Sequence, residues 1–143
     1  MTALGDLFMR DGSGHFHFLD LLCGECKQVA TSFDEFDRLC DGEEQRQSWF
    51  AADLVADLAK IHGELLEGQC FSCKVPISLG GKLAADNFQS CDIQVHYSVL
   101  GQLHQQTRHL PSGTKIGGVK IEIPDGELKP KKSWWQRVTD VRG

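Results

Sequence analysis

Apolar and polar residues alternate along this chain with two different periods. Near the start the period is two. Asp6-Leu7-Phe8-Met9-Arg10 precedes the turn cluster Asp11-Gly12-Ser13-Gly14. In His15-Phe16-His17-Phe18-Leu19-Asp20 the phenylalanines share one strand face and His15 and His17 the other. A second turn signal, Cys23-Gly24-Glu25, leads into Cys26-Lys27-Gln28-Val29-Ala30. These segments predict a small antiparallel meander. The period then lengthens. Ser32-Phe33-Asp34-Glu35 matches the capping box, in which the serine accepts from a backbone N–H and the glutamate reaches back. Phe33, Phe36 and Leu39 fall on one face of the helix it opens, and Gly42 ends that helix or separates it from the next. Residues 45–62 carry the clearest helical stripe, with Phe50, Leu54, Leu58 and Ile61 supported by Trp49, Val55 and Leu65. Gly63 and Gly68 punctuate its end.

The second half returns to strand patterns. Residues 70–77 read as a strand whose end Pro76 makes irregular. Leu79-Gly80-Gly81 breaks the backbone pattern, and residues 84–88 connect to an alternating segment at 91–95. Val95, Val99 and Leu103, with Leu100 beside them, form a helical stripe ending near His109. Pro111-Ser112-Gly113 is a turn. Val119, Ile121 and Ile123 alternate with Lys120 and Glu122 as a late strand, closed by Pro124-Asp125-Gly126. Residues 127–143 form a basic tail around Trp134 and Trp135. No internal repeat interrupts this order. The expectation is an α+β fold: an antiparallel sheet built from the meander and the later strands, packed against two to three helices. One domain spans residues 1–126, followed by the tail.

Composition narrows the function. The chain has 143 residues, 41 % of them apolar, enough for one domain. Such a domain buries roughly two-thirds of its unfolded surface. The net charge of −5 argues against a nucleic-acid binder, which shows a basic stripe. No apolar run reaches the roughly 18 residues of a membrane span, and no signal peptide is visible, so a cytoplasmic location is expected. Charge is uneven: residues 1–72 hold 14 acidic and 5 basic residues, residues 73–143 hold 6 and 10. Asp34, Glu35, Asp37, Asp41, Glu43 and Glu44 concentrate the acid on and after the capped helix. They form a candidate face for a basic protein partner and serve equally well as solvated helix faces.

Six cysteines include two C-x-x-C pairs, Cys23/Cys26 and Cys70/Cys73. Four thiolates at that spacing suit tetrahedral zinc, and a zinc-stabilised adaptor or regulatory domain is one reading. Against it, residues three apart in a strand point to opposite faces, so Cys70 and Cys73 do not clasp one ion without a bulge. Buried thiols with no cofactor are the other reading. No nucleophile elbow, P-loop, zinc-protease or dinucleotide motif is present, and nothing points to an enzyme. His15, His17, His62, His96, His104 and His109 are scattered.

One stretch adds a resemblance. It runs from Phe18-Leu19-Asp20-Leu21 and Val29-Ala30-Thr31-Ser32-Phe33-Asp34-Glu35-Phe36 through Gly68-Gln69-Cys70-Phe71. It continues with Leu79-Gly80-Gly81, Asp86-Asn87-Phe88 and the helix carrying His96, Gln102 and Leu103. Over about residues 5–110 the chain resembles the C-terminal domain of type VI secretion DNase immunity proteins. Leu79, Gly80, Gly81, Asn87 and His96 are the most specific of the matching positions. Cys23, Cys26 and Cys73 do not belong to the pattern, which weakens the zinc reading. The resemblance implies a non-catalytic α+β binding module that neutralises a cognate nuclease-type toxin by direct contact.

Overall fold

A computed structural model describes residues 1–111 and 113–122. Ile123, the turn at 124–126 and the tryptophan tail at 127–143 lie outside the described residues. Among the described residues the fold is α+β, with four α-helices and with the antiparallel strands in two sheets rather than the one expected.

The first sheet is the meander: β1 (Leu7–Arg10), β2 (Phe16–Asp20) and β3 (Glu25–Ala30), in the order β1-β2-β3. Period two holds in β2, where Phe16 and Phe18 are buried and His17 is half-buried. Helices α1 (Phe33–Cys40) and α2 (Glu43–Ser48) follow the meander. They close an aromatic cluster over it. Phe16 stacks on Phe36 at 4.5 Å and 7°. Phe8 meets Phe18 at 4.9 Å, Trp49 at 5.4 Å and Phe50 at 5.8 Å. Such ring pairs add about 1 kcal/mol each to the area they bury.

The continuous helix expected over residues 45–62 is broken. It divides into α2 and α3 (Ala52–His62), with Ala51 in the left-handed region at φ 45° and ψ 48°. The break has a visible cause. Trp49 and Phe50 both enter the aromatic cluster, whereas Leu58 points into a second core. A straight helix cannot aim adjacent aromatic residues at one core and the following stripe at another. Ile61, counted in that stripe, is 61 % exposed.

The second sheet pairs β4 (Gln69–Cys73) with β5 (Phe88–Asp92) in antiparallel register, Cys70 opposite Cys91 and Cys73 opposite Phe88. Two other boundaries differ from the sequence expectation. The strand expected over 70–77 ends at Cys73: the Asn87 side chain takes the place of a strand partner at Val75, and Pro76 starts a single 3-10 turn at Ile77–Leu79. The strand expected at 91–95 lies earlier, and α4 (Ile93–Thr107) starts where Asp92 caps the N–H groups of Gln94 (2.8 Å) and Val95 (3.3 Å). α4 lies against this sheet. Leu58, Phe71, Phe88, Leu100 and Leu103 form the centre of the second core. The late strand expected from the alternation at 119–123 is not formed: residues 119–122 belong to no helix or strand among the described residues, because no neighbouring strand pairs with them there.

Candidate functional site

The six acidic candidates are divided between two helices: Asp34, Glu35 and Asp37 on α1, Asp41 at its C-cap, and Glu43 and Glu44 in the first turn of α2. Ser32 caps α1, accepting from the Glu35 N–H at 3.2 Å. Glu35 reaches back one residue beyond the capping box. Its Oε2 accepts from the Thr31 N–H and hydroxyl, both at 2.7 Å. Those bonds hold the Glu35 carboxyl below its usual range. Glu35 is therefore committed to the helix start. Asp34, Asp37, Asp41 and Glu44 are exposed, and none of them forms an ion pair among the described residues. Glu43 stands 3.9 Å from Arg46. Phe33, 58 % exposed, sits beside Asp34 with its ring 6.2 Å from that of Phe16. These two helices thus carry four exposed carboxylates with no ion pair among the described residues, together with one exposed aromatic ring.

Of the positions singled out by resemblance, Leu79, Gly80, Gly81 and Asn87 lie on the connection between β4 and β5, and His96 lies on α4. Gly80 closes the 3-10 turn at φ 88°. Gly81 is pressed against the Val75 carbonyl. Asn87 acts as a substitute strand: its Oδ1 accepts from the Val75 N–H at 2.9 Å, and its Nδ2 donates to the Val75 carbonyl at 2.8 Å and the Lys82 carbonyl at 2.9 Å. Leu79 packs on the second core. His96 is fully buried, its Nδ1 2.8 Å from the Ser72 hydroxyl. Its Nε2 finds no hydrogen-bond partner among the described residues. Burial lowers its pKa to about 4, so the ring is neutral at pH 7.

The four paired cysteines are not gathered. Cys23 and Cys26 are exposed on the meander; Cys70 and Cys73 are buried in β4. The pleat of β4 sets Cys70 and Cys73 on opposite faces, as their spacing predicts. Burial pushes both thiols up to about 12. Among the described residues no group of three or more His, Cys, Asp or Glu side chains is placed to hold a metal ion. Thiol labelling checks this arrangement. Iodoacetamide is expected to modify Cys26 first and Cys23 more slowly, since burial and the Asp20 carboxylate raise the Cys23 thiol to about 11. Cys70 and Cys73 should react only on unfolding. Rapid labelling of Cys70 in the folded protein, read by peptide mass mapping, would contradict the position of β4.

Sequence patterning misses an N-terminal hook. Asp6 is 4 % exposed and accepts from the Thr2 hydroxyl and the Leu21 N–H, both at 2.9 Å. The Phe71 N–H donates to the Ala3 carbonyl at 2.8 Å, and the Tyr97 hydroxyl to the Gly5 carbonyl at 2.9 Å. The hook ties the first sheet to the second. His104 adds another tie, with its Nε2 2.7 Å from the Leu21 carbonyl. No helix among the described residues is long and apolar enough to cross a membrane.

Residues 30–104 match the family model described as T6SS immunity protein Tdi1, C-terminal. The matched span takes in α1, α2 and α3, the second sheet and most of α4. A comparison with curated proteins finds no match.

Proposed function

Since the chain belongs to the T6SS immunity protein Tdi1 C-terminal family, we propose that it neutralises a cognate secreted toxin of nuclease type by binding it directly. The family match, which includes both acidic helices, is the observation that carries this reading. The mechanism needs no catalytic group, cofactor or nucleic-acid contact. A nuclease must attract a polyanion, so the approach to its active site is positively charged. Asp34, Asp37, Asp41, Glu43 and Glu44 present negative charge at the protein surface and compete for the same approach. Phe33 supplies an apolar contact within that charged field. Glu35 contributes to the field while holding the start of α1. The inhibitor acts in the cytoplasm, where such a toxin would meet DNA.

The test uses the triple variant Asp37→Lys, Asp41→Lys, Glu44→Lys. All three side chains are exposed and none is committed to a cap or an ion pair among the described residues, so the fold should survive. With a candidate nuclease-type toxin, association measured at low salt should slow by about tenfold or more and lose its salt dependence. Association at the wild-type rate would remove this face from the mechanism. Failure of the wild-type protein to bind or protect against any such toxin would remove the mechanism itself.

A further inference from the structure

Gln102 and Gln106 lie one helical turn apart on α4, and each holds the main chain of a later residue through its carboxamide. Gln102 donates through Nε2 to the Glu122 carbonyl at 2.8 Å and accepts through Oε1 from the Glu122 N–H at 2.7 Å. Gln106 makes the same pair with Lys120, at 2.8 Å and 3.2 Å. The spacing explains the match. Four residues of helix rise about 6 Å, and two residues of extended chain advance about 6.7 Å. Glutamines at i and i+4 therefore read alternate residues of a strand, here running antiparallel to the helix. The carboxamides substitute for a neighbouring strand, which residues 119–122 lack among the described residues. Between these contacts Val119 and Ile121 are half-buried, Val119 against the second core, while the Lys120 and Glu122 side chains are exposed.

We propose that Gln102 and Gln106 form a binding site for an extended peptide strand, which the chain's own residues 119–122 fill in cis. The site reads the main chain and two aliphatic side chains spaced two residues apart, and it ignores the side chains between them. Its partner is an extended segment of another polypeptide with branched aliphatic residues at that spacing. The connection to α4 favours exchange: it carries Pro111, Gly113, Gly117 and Gly118 and forms no helix or strand among the described residues. The resident segment competes at the effective concentration of a short tether, about millimolar, so the site is masked until a partner displaces it.

The experiment uses the full chain and a fluorescent peptide with the sequence of residues 116–122, followed by polarisation. Lys120→Pro with Glu122→Pro removes both N–H donors of the resident segment and should vacate the site. This variant is expected to bind the peptide saturably. Adding Gln102→Ala and Gln106→Ala should abolish that binding, with circular dichroism confirming that the helices persist. Wild type and a Lys120→Ala, Glu122→Ala variant should both bind at least tenfold more weakly than the proline variant, because their resident main chain is intact. Absence of binding to the proline variant, or binding that survives loss of both glutamines, would overturn the proposal.

Discussion

Gly81→Ala is expected to destabilise the protein by about 3 kcal/mol, near the upper end of what overpacking one methyl group produces. The reason is backbone contact. A Cβ on Gly81 would overlap the Val75 carbonyl oxygen and lie 2.8 Å from its carbon and 2.9 Å from the Asn87 Nδ2. Val75 cannot yield easily, because Asn87 grips both its N–H and its carbonyl. Movement of Val75 breaks those bonds and leaves polar groups to be satisfied elsewhere. Gly80→Ala is the control. Gly80 needs φ 88°, but nothing lies within 4 Å of its Cβ position. That substitution should cost only the left-handed penalty of about 1 kcal/mol. Urea denaturation of the two variants decides the matter. A Gly81→Ala loss no greater than that of Gly80→Ala would show that the loop can shift, and that crowding does not explain the glycine.

These adjacent glycines show what the sequence could and could not reveal. Leu79-Gly80-Gly81 reads as a backbone breaker from composition alone. The need at Gly80 is conformational and local. The need at Gly81 is a contact with Val75 and Asn87, and that contact exists only once β4 and β5 have paired. The same division runs through the fold. The meander and the Ser32 cap depend on neighbours in sequence and were legible. The break at Ala51 was not, because it follows from two cores competing for adjacent stretches of one apolar pattern. Alternation at Val119 and Ile121 correctly marks the half-buried side chains, although no strand forms there among the described residues, and period two says nothing about the pairing partner. Here that partner is a pair of glutamine side chains. Asp92 followed by Gln94 and Val95 carried a usable helix-start signal, which the alternation of 91–95 obscured. The N-terminal hook has no periodicity at all, since Thr2 and Asp6 act through single buried bonds. At the candidate site, the acidic clustering was visible in the sequence, but the engagement of Glu35 with Thr31 needed coordinates.

Acidification from pH 7 to pH 4 is expected to remove about 3 kcal/mol of stability through His96 alone. The ring is fully buried between Ser72 and the backbone at Gly5, where a Cβ would come within 2.5 Å of Nε2. Burial lowers its pKa from 6.5 to about 4, partly offset by the nearby Leu4 carbonyl. The unfolded ring takes up its proton near pH 6.5 and the folded ring only near pH 4. The contribution is therefore complete above pH 6.5 and fades as pH falls toward 4, because the unfolded state binds the proton first. Two carboxylates flank this window with opposite signs. Burial raises the Asp6 carboxyl, so protonation of Asp6 on acidification favours the folded state and opposes the His96 effect. The hydrogen bond from His17 lowers the Asp11 carboxyl to about 2, so its stabilisation is lost only below about pH 4. The acid loss between pH 6.5 and 4 thus belongs to His96 and is blunted by Asp6. His96→Gln isolates it. Its urea midpoint should change far less between pH 7 and pH 4.5 than that of wild type, even if the variant is less stable at pH 7. A wild-type pH slope retained in His96→Gln would assign the acid sensitivity to the carboxylates instead.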